Sequence, residues 1–470
     1  MWSAPVDGRL IDVIAPATEE PIARVALGGE QDIDRAVRAA RAAFDEGSWV
    51  ALGPQGRAEY LQRFGDAIAA RAEEFAQIIA REVGTPIGPD ATRHTSAHIC
   101  KMFIDYHVGL ATTYPWVEQR TGLVADAEIR REPVGVVGAI VPWNVPLFLT
   151  IAKLAPAFLA GCTVVLKPAE ETPLNAFMLA DIAAEVGIPE GVFSVVPADR
   201  QISESLVRHP LVDKISFTGS TRAGKTIASV CGEQLKRYSL ELGGKSAAII
   251  LPDADVEQTL SSLVPNTIHN SGQVCVNQTR VLAPRALYDD VVDGMTAAYS
   301  AMVVGDPLDP ATNVGPLITA AQRERVEGYI AAGRQQNARM TVGGGRPDHD
   351  RGYYVEPTVF ADVDNSMKIA REEIFGPVVS IIRYDTEDEA VAIANDSPYG
   401  LSGTVWSSDQ EHAERIARQV RTGNIGSNIF MLDFAAPFGG FKESGIGREY
   451  GPEGVTSFTE TQALHRPKRS

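Results

Sequence analysis

Several features that mark whole classes of protein are scarce or missing in this chain. Only four cysteines occur in 470 residues, Cys100, Cys162, Cys231 and Cys275, and no two form a CxxC pair. Neither a disulfide framework nor a metal site is therefore expected, and reduced thiols in a cytoplasm are. Positive charge is in deficit: Lys+Arg 43 against Asp+Glu 60 leaves a net charge of −17, which argues against nucleic acid or an anionic membrane as the main partner. The stretch MWSAPVDGRLIDV lacks the basic start and apolar core of a signal peptide. The most hydrophobic region, 134–166, is interrupted by Pro142, Asn144, Pro146 and Lys153, whereas a membrane span needs about 20 uninterrupted apolar residues. The dinucleotide fingerprint GxGxxG is absent as well. What is present is ordinary globular composition, 44% hydrophobic and 22% charged, in a chain long enough to bury a large core without staples.

Residues 31–83 carry helical periodicity, with Ile33, Val37 and Ala40 and then Tyr60, Leu61, Phe64 and Ile68 on common faces. From Pro133 onward the texture changes. GVVGAIV (135–141) reads as a buried strand, PLFLTIAKLAPAFLAG as a helix stopped by Gly161, and CTVVLK as the next strand. The alternation continues through helix 175–187, strand VFSVVP, strand KISFTG (214–219) and the helix STRAGKTIASVCG. A second alternating block starts near Lys245 with SAAIIL. It runs on through helices at 287–302 and 320–335, strands YYVEPTVF and VVSIIRY, and helix EDEAVAIAND. Residues 112–133 read as a polar-faced hairpin placed before the first parallel strand. The pattern predicts an α/β protein with two doubly wound parallel sheets and a small β element.

Chemistry-bearing residues sit at the joints of this pattern. FTGSTRAGKT places Gly219, Ser220, Thr221 and Gly224 where a strand gives way to a helix, so free N–H groups and the helix dipole make an anion site. Gly219–Thr226 also matches GxxxxGK[ST], the nucleotide-triphosphatase loop, and a glycine turn without ligand is the plain alternative. Lys167 and Glu170 follow the strand CTVVL, at the carboxyl end where open α/β sheets bind ligands; a charged turn reads equally well there. Asn144 stands between two prolines, as a rigidly held oxyanion donor or as a helix cap. Glu241 ends an apolar run beside Gly243 and Gly244, where burial would raise its pKa toward that of a general base. Cys275 lies between Val274 and Val276 after Gly272, as a nucleophile or as an inert buried thiol.

In this order PWN, KPAE, FTGST, ELGGKS, GQVC, EEIFGPV and PFGGFKESGIGRE closely resemble the aldehyde dehydrogenase superfamily, from the early hairpin APATEEPIARV to the final TSFTE. The resemblance implies a Rossmann-like cofactor domain (1–111 and 134–243), a catalytic domain (244–442) and an oligomerisation element (112–133 and 455–470). It makes Cys275 the nucleophile, Glu241 the general base, Asn144 the oxyanion donor and Glu449 a proton-relay carboxylate. It assigns NAD, with NADP disfavoured, to Val141, Pro142, Trp143, Lys167, Glu170, Gly219, Ser220, Gly224, Leu242, Glu373 and Phe375. By motif position, Val145, Leu149, Val274, Val276, Phe430, Leu432 and Phe438 line the approach to Cys275, which favours apolar aldehydes; Asn277 is the one polar residue close by.

The implied reaction oxidises an aldehyde to the carboxylic acid through a cysteine thiohemiacetal and a thioester, hydrolysed with Glu241. A coenzyme A-acylating relative is the nearer alternative, and a P-loop NTPase on Gly219–Thr226 the rival of another class. A cytoplasmic homodimer or homotetramer is expected, with the 112–133 hairpin and the final strand exchanged between subunits.

Overall fold

The computed structural model describes residues 3–88 and 92–468. An antiparallel pair, β1 (Leu10–Ala15) and β2 (Glu20–Ala26), opens the chain. The hairpin of β3 (Val117–Thr121) and β4 (Asp126–Pro133) precedes a six-stranded sheet. That sheet contains β5 (Val136–Ile140), β6 (Thr163–Lys167), β7 (Phe193–Val195), β8 (Lys214–Thr218) and β9 (Arg237–Glu241). β5, β6 and β8 are buried along their whole length, as expected of parallel strands covered on both faces.

A seven-stranded sheet follows, from β10 (Ala247–Ile250), β11 (Arg280–Pro284), β12 (Arg339–Val342), β13 (Thr358–Ala361), β14 (Val378–Tyr384), β15 (Gly403–Trp406) and β16 (Gly426–Ser427). The chain then returns: β17 (Gly445–Ile446) pairs with β9, giving the order β17-β9-β8-β5-β6-β7. β18 (Thr459–Arg466) closes the molecule. Both parallel sheets therefore fall where sequence alternation placed them.

Local chemistry explains the joints. The helix Pro146–Ala160 begins with a proline, whose fixed φ suits the first turn, and stops at Gly161 with φ 99. Strand alternation sorts the sheet faces. Ile215 and Phe217 of β8 pack in one layer with Ile33, Val37 and Ile227, whereas the opposite face meets helix Pro146–Ala160 through Val137 and Ala139.

Two expectations are corrected. YYVEPTVF is a strand only from Thr358, because Pro357 has no N–H to give a ladder and Tyr353 is stitched elsewhere, donating to the Pro16 carbonyl and accepting from Leu317. Residues 455–456 lie in the short helix Gly451–Thr456, and β18 starts at Thr459. β18, expected to be exchanged between subunits, pairs along its whole length with β4 of its own chain. The hairpin's need for a third strand is met there. Its tip, Leu123 and Val124, is almost fully exposed.

Candidate active site

Cys275 lies in the loop between helix Val256–Ile268 and β11. Asn270, Ser271 and Gly272 are three successive left-handed residues there. A Cβ at Gly272 would fall 2.0 Å from the Gly376 carbonyl oxygen, and one at Gly244 would fall 2.4 Å from that of Cys275. The two glycines thus let the loop press against its neighbours. Cys275 alone among the four cysteines is partly exposed; Cys100, Cys162 and Cys231 are buried. Burial pushes the Cys275 thiol up to about 12, and the carboxylates of Glu373 and Glu241 add to the effect.

Asn144 is buried, and the capping reading fails: Val145 is the cap residue of helix Pro146–Ala160 and no side chain bonds to its N-terminus. Asn144 Nδ2 instead donates to the Gln273 carbonyl at 2.8 Å, and Asn270 Nδ2 donates to the Asn144 carbonyl at 2.9 Å. The amide is therefore latched to the cysteine loop two residues before the thiol. Its second hydrogen is not spent on that bond.

Glu241 ends β9, buried, and neither carboxylate oxygen has a partner among the described residues. Burial raises it well above the usual carboxylate range; Glu449 adds, while Lys153 and Arg448 oppose. Glu449 is buried too, but its Oε1 accepts from Lys153 Nζ at 2.5 Å. Sequence reasoning missed the role of Lys153. The signal was a lone cation inside PLFLTIAKLAPAFLA, an otherwise apolar helix, since a buried charge requires a partner.

The candidate cofactor residues gather at the carboxyl edge of the first sheet. Val141 donates its N–H to the Lys167 carbonyl at 3.2 Å. Half-buried Pro142 and Trp143 follow, and the Trp143 ring meets Phe375 edge-on at 5.4 Å. Lys167 is buried, and burial lowers its pKa while Glu171, Glu170 and Asp199 oppose. Ser220 caps helix Thr221–Gln234 by accepting from Ala223 N. Close approach needs glycine at both turn positions: a Cβ would lie 2.5 Å from the Phe217 ring at Gly219 and 2.6 Å from Leu242 at Gly224. Glu373 Oε1 accepts from the Gly244 N–H at 2.9 Å, and Phe375 holds a left-handed φ of 63.

These placements fit a dinucleotide laid across the ends of β8, β5 and β6. They do not fit an NTPase loop. Lys225 is exposed and pairs with Glu443 at 2.9 Å, and Thr226 Oγ1 donates to the Arg222 carbonyl of its own helix, so the pattern Gly219–Thr226 is part of an ordinary helix start.

Val276 and Phe438 are buried, and Val145, Leu149, Val274, Phe430 and Leu432 are half-buried. Val274, Val276, Phe430, Leu432 and Phe438 share one apolar cluster with Cys275. Motif position overlooked the rings behind them. Phe103 makes edge contacts with Phe148, Phe434 and Tyr450 at 5.6, 5.3 and 5.1 Å, and Tyr450 stacks on Phe438 at 5.0 Å. Asn277 Nδ2 donates to the His269 carbonyl at 3.0 Å.

A family model described as the aldehyde dehydrogenase family matches residues 2–464. The chain belongs to the aldehyde dehydrogenase family. Members similar to it include geranial dehydrogenase of Castellaniella defragrans, 49% identical over 99% of this chain and 97% of that one. Another is 3-succinoylsemialdehyde-pyridine dehydrogenase of a Pseudomonas species, 43% identical over 98% and 96%. Among solved structures, a Mycobacterium tuberculosis aldehyde dehydrogenase complexed with NAD+ matches with a TM-score of 0.97 at 49% identity, covering 99% of this chain and 96% of that one. Aldehyde dehydrogenase C of Pseudomonas syringae, a mutant complexed with NAD+ and octanal, matches with a TM-score of 0.95 at 43% identity, covering 99% and 95%. Like the rest of the family, this aldehyde dehydrogenase oxidises an aldehyde to the carboxylic acid through a catalytic cysteine.

Proposed function

We propose that Cys275 is the nucleophile, Glu241 the base that activates water, and Asn144 the side-chain oxyanion donor. The observation that carries this reading is the contrast at one place in the fold: the one cysteine that is not fully buried, an amide latched to its loop, and a buried carboxylate with both oxygens unpartnered among the described residues. The Cys275 sulfur adds to the carbonyl carbon, and charge developing on oxygen is met by Asn144 Nδ2–H and the Cys275 backbone N–H. NAD, bound at the carboxyl edge of the first sheet, supplies the hydride acceptor. Glu241 then takes a proton from water as it attacks the thioester, releasing the acid and the free thiol. Burial makes the Glu241 carboxylate a stronger base than an exposed one. Glu449, held by Lys153, takes protons onward from Glu241.

The first sheet and its helices (1–111 and 134–243) form the cofactor domain in this reading, and 244–442 the catalytic domain. Lys167 and Glu170 hold the adenosine ribose, with Glu170 disfavouring a 2′-phosphate. The Gly219, Ser220 and Gly224 turn lies against the pyrophosphate. Glu373 and Phe375 hold the nicotinamide ribose, while Val141, Pro142, Trp143 and Leu242 complete the cleft. Apolar aldehydes are the substrates, supported by the uncharged lining and by the geranial and octanal of the relatives' names. The exposed tip of the hairpin supports its use, with 455–470, as the oligomerisation element of a dimer or tetramer in the cytoplasm.

Glu241→Gln tests the reading. Up to one reduced cofactor per site should form and turnover then stall, with acyl-enzyme detected by intact mass. Unchanged steady-state turnover would place the base elsewhere.

A further inference from the structure

An oxyanion is stabilised by donors that are in place before its charge forms. The two donors named for it, Asn144 Nδ2–H and the Cys275 backbone N–H, come from separate parts of the chain, the segment after β5 and the loop before β11. Two hydrogen bonds cross between those parts. Asn144 Nδ2 donates to the Gln273 carbonyl at 2.8 Å, and the Asn144 carbonyl accepts from Asn270 Nδ2 at 2.9 Å. Asn144 is thus held by side chain and backbone at once, by the same loop that carries the thiol.

The amides of that loop are held in turn. Buried Gln273 accepts the Ile318 N–H at 3.0 Å, and its Nε2 donates to the Asn270 carbonyl at 3.3 Å. Asn270 is buried with a left-handed φ of 51, a conformation that asparagine tolerates better than most side chains. The Asn144 carbonyl only accepts, so the Asn270 amide must turn its nitrogen that way and its oxygen to the other side. There Oδ1 accepts from Thr85 Oγ1 at 2.8 Å.

Thr85 reaches the loop from 185 residues away. Helix Ala72–Val83 stops at Gly84, whose φ of 85 turns the chain out of the helix. Residue 315 meets both parties. A Cβ at Gly315 would fall 2.0 Å from the Gly84 carbonyl oxygen, and the Gly315 carbonyl accepts from Ser271 Oγ at 3.0 Å. Close packing therefore seats half-buried Thr85 beside Asn270.

We propose that Thr85 and Asn270 are positioning residues for the oxyanion: the Thr85 hydroxyl orients the Asn270 amide, and Asn270 fixes Asn144 against the Cys275 N–H. Neither touches the reacting atoms. The inference rests on the reading of Asn144 as oxyanion donor. With valine at 85, Asn270 Oδ1 faces a methyl group and is left buried without that donor, so the arrangement that aims Nδ2 at Asn144 loses its advantage. The donors then meet the developing charge out of place, and acylation slows.

The rate of the reduced-cofactor burst under saturating NAD and aldehyde tests this, with NAD affinity and Tm measured beside it. Asn144→Ala should slow the burst by about 100-fold. Thr85→Val, close to threonine in shape, should slow it by about tenfold and leave NAD affinity unchanged, and Thr85→Ser, which keeps the hydroxyl, should return it to within about twofold of the parent. Asn270→Gly keeps the left-handed backbone and deletes the amide, so it should be at least as slow as Thr85→Val. In the Asn144→Ala background Thr85→Val should add less than about twofold, because the amide it positions is gone, whereas a general structural role would add its full effect there. A full effect in both backgrounds, or a burst within about twofold of the parent in Thr85→Val or Asn270→Gly while Asn144→Ala is slow, would overturn the positioning role and leave Asn144 as donor. An Asn144→Ala burst as fast as the parent's would remove the donor itself, and both readings would fall.

Discussion

The aromatic cluster of Phe103, Phe148, Phe434 and Phe438 and the ionisable cluster of Glu241, Glu449 and Lys153 meet at Tyr450, which stacks on Phe438 and feels the charge of Glu449. The two respond to burial in opposite ways. For the rings it is stabilising, roughly in proportion to area, and a lost contact costs only its own share. For the charged groups it is a cost that partners must offset, so one deletion exposes the whole desolvation penalty of what remains. The apolar side can therefore drift in sequence and change what binds, whereas the ionisable side tolerates only changes made in pairs.

The hardest break is at the thiol between them. Cys275→Ser should abolish aldehyde oxidation while NAD still binds, since the nucleotide residues are untouched; substantial turnover would remove Cys275 from the mechanism. In the parent protein without cofactor, burial, Glu373 and Glu241 push the thiol up to about 12. The thiolate fraction then rises about tenfold per pH unit below that value. Iodoacetamide labelling of Cys275 should climb accordingly from pH 7 to 10 and run ahead of buried Cys100, Cys162 and Cys231. A pH-independent rate would contradict the high pKa.

The next break is on the ionisable side alone. Lys153→Met leaves Glu449 buried without its cation and should cost about 3–5 kcal/mol of stability. The double change Lys153→Met with Glu449→Leu replaces the pair by packed apolar groups and should recover most of it. Denaturant unfolding of the parent and the two variants measures this. A single variant as unstable as the double one would mean that the pair is held by something other than mutual burial.

The two clusters also differ in how far the sequence revealed them. Strand alternation and glycine stops were legible because they are local: Gly161 ends its helix at φ 99 and helix 320–335 falls at its predicted bounds. Asn144, Glu241 and Cys275 were legible as motifs, each beside glycine or proline that fixes the backbone. The Lys153–Glu449 pair, 296 residues apart, was not, because only the fold brings a cation in one helix to a carboxylate near the end of the chain. Phe103 and Phe434 were likewise invisible as neighbours. Thr85 passes for an ordinary turn residue until the fold sets it beside Asn270.

Cofactor choice is a milder test at the far end of the cleft. Glu170 opposes a 2′-phosphate by like charge, and Glu170→Ser should relax the preference for NAD over NADP by about tenfold, the worth of 1.4 kcal/mol. Glu171, which faces Lys167 more strongly than Glu170 does, remains to repel the phosphate in that variant. A parent enzyme with better kcat/KM for NADP would show that Lys167 dominates.

The smallest effect per step is on the apolar side, and it separates selection from packing. Each CH₂ buried there contributes about 0.8 kcal/mol, so kcat/KM should rise roughly fourfold per added carbon until the pocket is full. Asn277, buried and tied through one amide hydrogen to the His269 carbonyl, is the polar group whose influence the benzaldehyde and cationic-aldehyde arms of the measurement would reveal. Phe430 is half-buried, so its truncation removes contact area without opening a sealed cavity. If it lines the approach to Cys275, Phe430→Ala should lower kcat/KM for long aldehydes more than for short ones and leave the Tm nearly unchanged. If it merely packs the core, the Tm should fall and the chain-length profile should keep its slope. The measurement is kcat/KM from acetaldehyde to decanal, beside benzaldehyde and a cationic aldehyde, for both proteins. A flat profile in the parent, or a preference for the cation, would show that the rings beside Cys275 do not face the substrate.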